Sequence, residues 1–105
     1  RKAFERRRDL IVELASQIPG LEVNKPEGAF YLFPKCSSFF GKSYNGKTIN
    51  NSTDLAMFLL EVGHVATVGG DAFGDPYCFR MSYATSDDNI REALKRIKET
   101  LALLS

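Results

Sequence analysis

The sequence predicts a single α+β domain, a two-layer sandwich in which helices cover one face of a small mixed or antiparallel sheet. Two observations support this class. Apolar residues recur at helical spacing near both ends of the chain, within residues 4–18 and 87–104. Between these segments lie short apolar runs of strand length, separated by glycine, proline and asparagine. Helices and strands therefore alternate along the chain.

Length and composition narrow the function classes. At 105 residues, with 44% hydrophobic and 26% charged residues, the chain is an ordinary globular domain. A net charge of +1 argues against a dedicated nucleic-acid surface, and no apolar run reaches the ~20 residues of a membrane helix. Cys36 and Cys78 lack metal-like or Cys-x-x-Cys spacing, which predicts reduced thiols in a cytoplasmic protein without a metal site.

The first predicted helix carries an apolar stripe that includes Ile11, Ala15 and Ile18, and it stops at Pro19-Gly20. The basic run at residues 6–8 is open to two interpretations, a nucleic-acid patch or a solvated or interdomain helix face. Acidic residues interleave with the arginines on this helix, and this favours the second interpretation.

Two strands and a long loop follow. Residues 21–23 are predicted to form a short edge strand, and residues 28–33 a second strand that ends at Pro34. Residues 35–51 are predicted to be a polar loop, mobile or variable because of its length, which Phe39 and Phe40 hold to the domain.

Capping residues mark the next helix. Residues 51–54 offer several N-caps for a helix whose Leu55, Phe58 and Leu59 face inward and which ends near Gly63. His64, the single histidine of the chain, follows that end and has no cysteine or carboxylate pattern near it. A surface position is therefore favoured over a ligand or base.

The last part of the chain combines a strand, a glycine-rich turn, a second strand and a helix. Residues 65–68 are predicted to form a strand, and Ser86 is predicted to cap the final helix, with Asp87 and Asp88 near its positive end. The turn at residues 69–74 lacks the Gly-x-Gly-x-x-Gly spacing of a phosphate-binding loop.

Arg80 is the strongest functional candidate. It lies in the middle of the apolar strand 78–84, where alternation places Phe79, Met81 and Tyr83 on the core face and Arg80 on the opposite face. A guanidinium on a rigid strand is suited to two parallel hydrogen bonds with a carboxylate or phosphate. The alternative from the residues alone is a solvated arginine whose stem covers apolar surface.

Three motifs in a fixed order resemble the small C-terminal domain of class I pyridoxal-phosphate-dependent aminotransferases, nearest to the aspartate aminotransferases. They are PEGAFY at residues 26–31, VATVGGDAFG at residues 65–74 and FRMSYA at residues 79–84, and the closing helix follows them. Their joint occurrence is far more specific than any single motif. One departure stands out: that family usually has Pro-Gly where this chain has Gly69-Gly70, and the added backbone freedom predicts a looser loop.

The resemblance implies roles for two residues. Arg80 matches the arginine that binds the substrate α-carboxylate in that family, and Phe73 matches an apolar wall beside the carboxylate site. From the residues alone, a plain hairpin-like connection with a buried Phe73 is equally open.

The resemblance also implies what lies outside this chain. Residues 1–105 would be one C-terminal small domain, with residues 1–18 part of an interdomain helix, and the uncapped start without methionine fits this expectation. The catalytic lysine and the main pyridoxal phosphate contacts would belong to a large domain. The chain alone would therefore have no catalytic or cofactor-binding residue and no activity, whereas the parent, a homodimer, would transfer an amino group between an α-amino acid and a 2-oxo acid. Aspartate and 2-oxoglutarate are the implied pair.

Three alternatives remain at this level. A pyridoxal-phosphate lyase of the same fold would share Arg80 and differ in the large domain. A transcription regulator with an aminotransferase-like sensory domain would carry a DNA-binding module. A stand-alone anion-binding module would begin with its own methionine and capped helix.

Overall fold

The computed structural model describes residues 2–23, 31–82 and 86–105, and it confirms the α+β class. In the described residues, the helices are α1 (Lys2–Ser16), α2 (Ser52–Glu61) and α3 (Asp87–Leu101). The strands are short: β1 (Tyr31–Leu32), β2 (Ser43–Tyr44), β3 (Lys47–Thr48), β4 (Val68–Gly69) and β5 (Phe79–Ser82).

The main sheet has the order β1-β5-β4, and both pairings are antiparallel. Leu32 pairs with Met81 in one ladder, and Val68 pairs with Arg80 in the other. Strand β5 is therefore central: β4 pairs with its first half, Phe79 and Arg80, and β1 pairs with its second half, Met81 and Ser82. No parallel pair occurs in the described strands, so the antiparallel form of the prediction is the one that the structure adopts.

Helices cover one face of this sheet and the core lies between the two layers. Ile11, Ala15 and Ile18 of the first helical segment are buried, as their spacing predicts. The stripe of α3 and the segment that follows it is buried as well, through Ile90, Leu94, Ile97, Leu101 and Leu104. From the sheet, Leu32 and Phe79 are fully buried, so the helical and strand patterns converge on one core.

The predicted caps are confirmed. The Asn51 side chain accepts a hydrogen bond from the Asp54 backbone N–H at 2.8 Å, and the Ser86 hydroxyl accepts one from the Asn89 N–H at 3.2 Å. At the end of α2 the left-handed residue is His64 (φ 57°) and not Gly63. Gly63 is needed for space, because a Cβ there would lie 2.5 Å from the Thr100 hydroxyl. His64 is exposed, as predicted.

The prediction that residues 35–51 form a loop without regular structure is wrong. This segment contains a 3₁₀ turn (Ser37–Phe39) and the antiparallel β2–β3 hairpin, and Phe39 is buried as expected. The hairpin turn is Asn45-Gly46, with φ of 50° and 81°. Asn-Gly between two strands is a strong signal for this turn type, because both central residues need positive φ. The polarity of the segment obscured that signal.

Other strand boundaries also differ from the predictions. Residues 21–23 form a single bridge, Glu22 with Lys35, in place of a strand, and the strand predicted at 65–68 is reduced to β4. Of the strand predicted at 28–33, β1 is present, while residues 28–30 lie outside the described part of the chain. Tyr83, predicted on the core face, also lies outside it. A strand in this small sheet extends only as far as the short strands beside it can pair with it. The strand propensity of a segment therefore predicts a longer strand than the structure contains.

The basic run of α1 faces a carboxylate. Asp87, in the first turn of α3, lies 3.3 Å from the Arg6 guanidinium and 3.4 Å from that of Arg7. These ion pairs join α1 to α3 and favour an intramolecular role for the run over a nucleic-acid patch. Among the described residues, no helix is long and apolar enough to cross a membrane.

Candidate anion-binding site

Strand β5 presents Arg80 on the face of the sheet opposite the helices. Phe79 and Met81 are buried at 0% and 6% exposure, whereas Arg80 between them is half-buried and Ser82 is exposed. The period-two alternation of the strand produces this arrangement directly. The structure therefore confirms the predicted orientation of Arg80, and its backbone is fixed by β4 on one side.

Two aromatic rings lie beside the guanidinium. Its central carbon, Cζ, lies 4.4 Å from the centroid of the Tyr31 ring and 5.6 Å from that of Phe73. The Phe73 ring meets Phe33 edge to face, at 5.5 Å between centroids and an interplanar angle of 73°. Phe73 is half-buried, and Tyr31 and Phe33 are 39% and 40% exposed, so these rings line a surface rather than the core.

The chemistry of the site follows from these contacts. Rings within about 6 Å attract a guanidinium by their π faces and leave its N–H edges for other partners. Across the described residues, the ion pairs engage other basic side chains, and none joins Arg80 to a carboxylate. The site thus offers a positioned positive charge beside apolar rings. That combination suits a small carboxylate whose carbon skeleton contacts the rings.

Phe73 belongs to a 3₁₀ turn, Gly70–Phe73, that is fastened to the N-terminus of α2. The Asp71 carboxylate accepts hydrogen bonds from the Thr53 backbone N–H at 3.3 Å and from the Thr53 hydroxyl at 2.9 Å. In return the Asp71 N–H donates to the Ser52 hydroxyl at 3.3 Å. A carboxylate is favourable at a helix N-terminus, where backbone N–H groups are unsatisfied. These hydrogen bonds connect the turn that carries Phe73 to the start of α2.

The glycine pair that was predicted to loosen this turn has a different role. Gly69 has φ −63° and ψ 139°, a conformation open to most residues. A Cβ on Gly69 would lie 2.8 Å from the backbone N and Cα of Thr53, and one on Gly70 would overlap the Asp75 carbonyl oxygen. Both glycines therefore permit close backbone approach. Only Gly74, at the end of the turn, uses positive φ, at 87°.

The two cysteines are free thiols on neighbouring segments, where Lys35 forms a bridge with Cys78 and the Cys36 N–H donates to the Tyr77 carbonyl at 2.7 Å. Burial raises the pKa of the Cys36 thiol to about 12, with the neighbouring Cys78 adding to the shift. Burial raises the pKa of Cys78 to about 11, and a hydrogen bond with Asp75 acts in the same direction. Both groups are thus protonated at neutral pH and are poor nucleophiles.

A cavity of about 440 Å³ lies away from Arg80, between the β2–β3 hairpin and α2. Its charged groups are already engaged: the Lys47 ammonium lies 3.5 Å from the Glu61 carboxylate, and the Asp54 carboxylate accepts a hydrogen bond from the Asn50 N–H at 3.1 Å. The cavity therefore offers little to orient a polar ligand. Within the described residues, no group of three or more metal-ligating side chains is present.

Sequence reasoning did not identify the partners of Arg80. Tyr31 and Phe33 are two residues apart, so the motif predicts that they share one face of a strand. It does not predict that this strand pairs with β5. The same holds for the contact between Asp71 and Thr53, which lie 18 residues apart in the chain.

Comparisons with known proteins show similarity to aminotransferases. The family model for aminotransferase class I and II matches residues 1–97. An aspartate aminotransferase of Rhizobium meliloti is 48% identical over 99% of this chain and 26% of its own length. A bifunctional aspartate aminotransferase and glutamate/aspartate-prephenate aminotransferase of Petunia hybrida is 44% identical over 98% of this chain and 22% of its own length.

A solved structure of one of these relatives also has the same fold. The crystal structure of the aspartate aminotransferase from Rhizobium meliloti superposes with a TM-score of 0.96 at 48% identity, over 99% of this chain and 26% of that chain. The present chain thus spans about a quarter of the length of these relatives.

Proposed function

The chain belongs to the class I and II aminotransferase family, and from this premise we propose that it is the C-terminal small domain of a pyridoxal-phosphate-dependent aminotransferase. In this proposal residues 1–105 form one domain, and residues 1–18 are part of a helix that leads into it from a large domain. The enzyme would be a cytoplasmic homodimer, in accord with the family and with two unoxidised cysteines.

Within this domain, Arg80 binds the substrate α-carboxylate and Phe73 forms an apolar wall beside it. The observation that carries the assignment is the half-buried guanidinium of Arg80, fixed on the central strand and flanked by the rings of Tyr31 and Phe73. A charge-assisted, two-point contact with a carboxylate fits its N–H edges, which join no carboxylate in an ion pair within the described part of the chain. Because all α-amino acids and 2-oxo acids carry this carboxylate, the contact selects the class of substrate and leaves the side chain to other groups.

Pyridoxal phosphate supplies the electron sink for amino-group transfer when it is bound in such an enzyme. The lysines with described side chains are all exposed, and two of them, Lys35 and Lys47, pair with carboxylates at 3.8 and 3.5 Å. A lysine that binds a cofactor covalently needs a partly dehydrated setting that lowers its pKa. These surroundings support a cofactor held mainly by the large domain, so the chain alone would bind it weakly and be inactive.

The substrates that we propose are aspartate and 2-oxoglutarate. The choice of aspartate rests on the names of the relatives, of which one is an aspartate aminotransferase and another also acts, by its name, on prephenate. The choice of 2-oxoglutarate rests on the resemblance of the three motifs to the aspartate aminotransferases. The part of this chain in that reaction is to bind the carboxylate and to orient the amino acid, which reduces the entropy lost on reaching the transition state.

The decisive experiment replaces Arg80 in the full-length enzyme. Arg80→Ala removes a charge-assisted contact with a partly desolvated carboxylate, a loss of about 2–4 kcal/mol. The value of kcat/KM should fall about 30-fold to 1000-fold for every reactive L-amino acid in a panel, at ~1.4 kcal/mol per tenfold. Arg80→Lys should remain well below the wild type, because an ammonium lacks the planar fork.

A matched control is Arg91→Ala, which removes an exposed arginine of α3 and should leave kcat/KM unchanged. Cofactor content should be normal in all variants, as absorbance of the purified enzymes will report. A folded Arg80→Ala enzyme with near-normal kcat/KM would refute the carboxylate assignment.

A further inference from the structure

Of the rings that the structure describes, that of Tyr31 lies nearest to the Arg80 guanidinium. Its ring centroid lies 4.4 Å from the guanidinium carbon, whereas the Phe73 centroid lies at 5.6 Å. Tyr31 sits on β1 opposite Ser82, and Ser82 shares a sheet face with Arg80 two residues away. The register of β1 against β5 therefore holds the Tyr31 ring over the guanidinium as a diagonal neighbour.

The stacking limits the freedom of a long side chain. An arginine has several rotatable bonds, and a loose guanidinium must lose that freedom when it binds a carboxylate in two parallel hydrogen bonds. A ring face 4.4 Å from Cζ restricts the orientations open to the guanidinium before any ligand binds. The entropic cost of binding is then reduced before the substrate arrives.

The Tyr31 side chain does not belong to the hydrophobic core. It is 39% exposed, while the next residue, Leu32, is fully buried and contributes the packing of this strand. Removing the Tyr31 ring leaves the buried core intact. The ring of Phe73, in contrast, is also engaged by Phe33 and by the turn that carries it.

We propose that Tyr31 is a positioning residue that holds the Arg80 guanidinium in the plane required for two-point carboxylate binding. This inference rests on the proposed function, since it assigns to Tyr31 the orientation of the group that binds substrate. The π face of the ring performs this role, and the hydroxyl is dispensable for it.

The test uses the full-length enzyme and the L-amino acid that reacts fastest in the panel. Tyr31→Leu removes the π face and should raise KM about threefold to thirtyfold, the effect of losing one cation–π contact. The value of kcat should change less than about twofold, because the lost binding is shared by ground state and transition state. Tyr31→Phe keeps the ring and should match the wild type.

Tyr77→Leu is the matched control, since Tyr77 is 57% exposed and makes no ring contact with Arg80 among the described residues. Tyr31→Met repeats the loss of the ring and replaces the leucine variant if that one does not fold. An unchanged KM in the folded non-aromatic variant, or an equal rise in Tyr31→Phe, would overturn the inference.

A double-mutant cycle separates this inference from the function on which it rests. If Tyr31 acts through Arg80, the leucine substitution should have no further effect on KM in an Arg80→Ala background. A full additional effect there would show that Tyr31 acts by another route and would refute the positioning role. If Arg80→Ala alone leaves KM and kcat/KM unchanged, the proposed function fails, whereas an effect of Arg80→Ala without one of Tyr31→Leu defeats only the present inference.

Discussion

Gly69→Ala tests the close contact between the turn that begins at Gly69 and the first residues of α2. The new Cβ would lie 2.8 Å from the backbone N and Cα of Thr53 and 2.9 Å from the carbonyl carbon of Ser52. These are main-chain atoms in the first turn of a capped helix, so no side-chain rotation relieves the overlap. Overpacking of this kind costs about 1–3 kcal/mol. A smaller opposing gain of about 0.4–1 kcal/mol arises because alanine restricts the unfolded chain.

The net expectation is a loss of about 1–2 kcal/mol in the free energy of unfolding. The assay is equilibrium urea unfolding of the 105-residue chain, followed by circular dichroism, on the expectation that its single core lets it fold alone. With a urea m-value of about 2 kcal/mol/M, the midpoint should fall by roughly 0.5–1 M. An unchanged or higher midpoint would refute the steric argument.

Two further variants separate the steric effect from backbone strain. Gly46→Ala adds a Cβ in open space at φ 81°, so its cost is conformational only. Thr53→Ser shortens the side chain but leaves the main chain in place, and it should not restore the stability of Gly69→Ala. Restoration would mean that the Thr53 side chain, and not its backbone, limits the approach.

Two other predictions concern the Asp71–Thr53 contact and the two thiols. Asp71→Ala removes both acceptor contacts to Thr53 and should lower the free energy of unfolding by about 1 kcal/mol, the usual value of a helix cap, so an unchanged urea midpoint would argue against a real bond. Cys36 and Cys78 should react with iodoacetamide far more slowly in the native chain than in the urea-unfolded chain at pH 8, because their pKa values are raised to about 12 and 11. Since the native state retains these protons, its stability should be unaffected by the thiols below pH 9, the ordinary thiol value, and should fall as pH rises toward 11–12. Equal alkylation rates in both states, or a stability that rises over that alkaline range, would contradict the assignment.

Much of the fold was readable from local rules. The Asn51 and Ser86 caps, the stripe of α3 and the alternation around Arg80 all depend on spacing within a few residues, and all are confirmed. The Asn45-Gly46 hairpin obeys an equally local rule. It was overlooked because its flanking strands, β2 and β3, carry few apolar residues to reveal a strand period.

The outward position of Arg80 can be predicted from periodicity alone, because side chains in any strand alternate between faces. Its surroundings cannot. Tyr31 reaches Arg80 from a distant part of the chain through the register of β1 against β5, and Phe73 reaches it through the fold of the turn that precedes β5. Gly69 meets the backbone of Thr53 because that turn packs closely against α2. Such contacts arise from the packing of the whole domain, and sequence spacing contains no measure of those distances. The outward position of Arg80 can therefore be predicted from the sequence, whereas the neighbours that orient its guanidinium are determined by the tertiary fold.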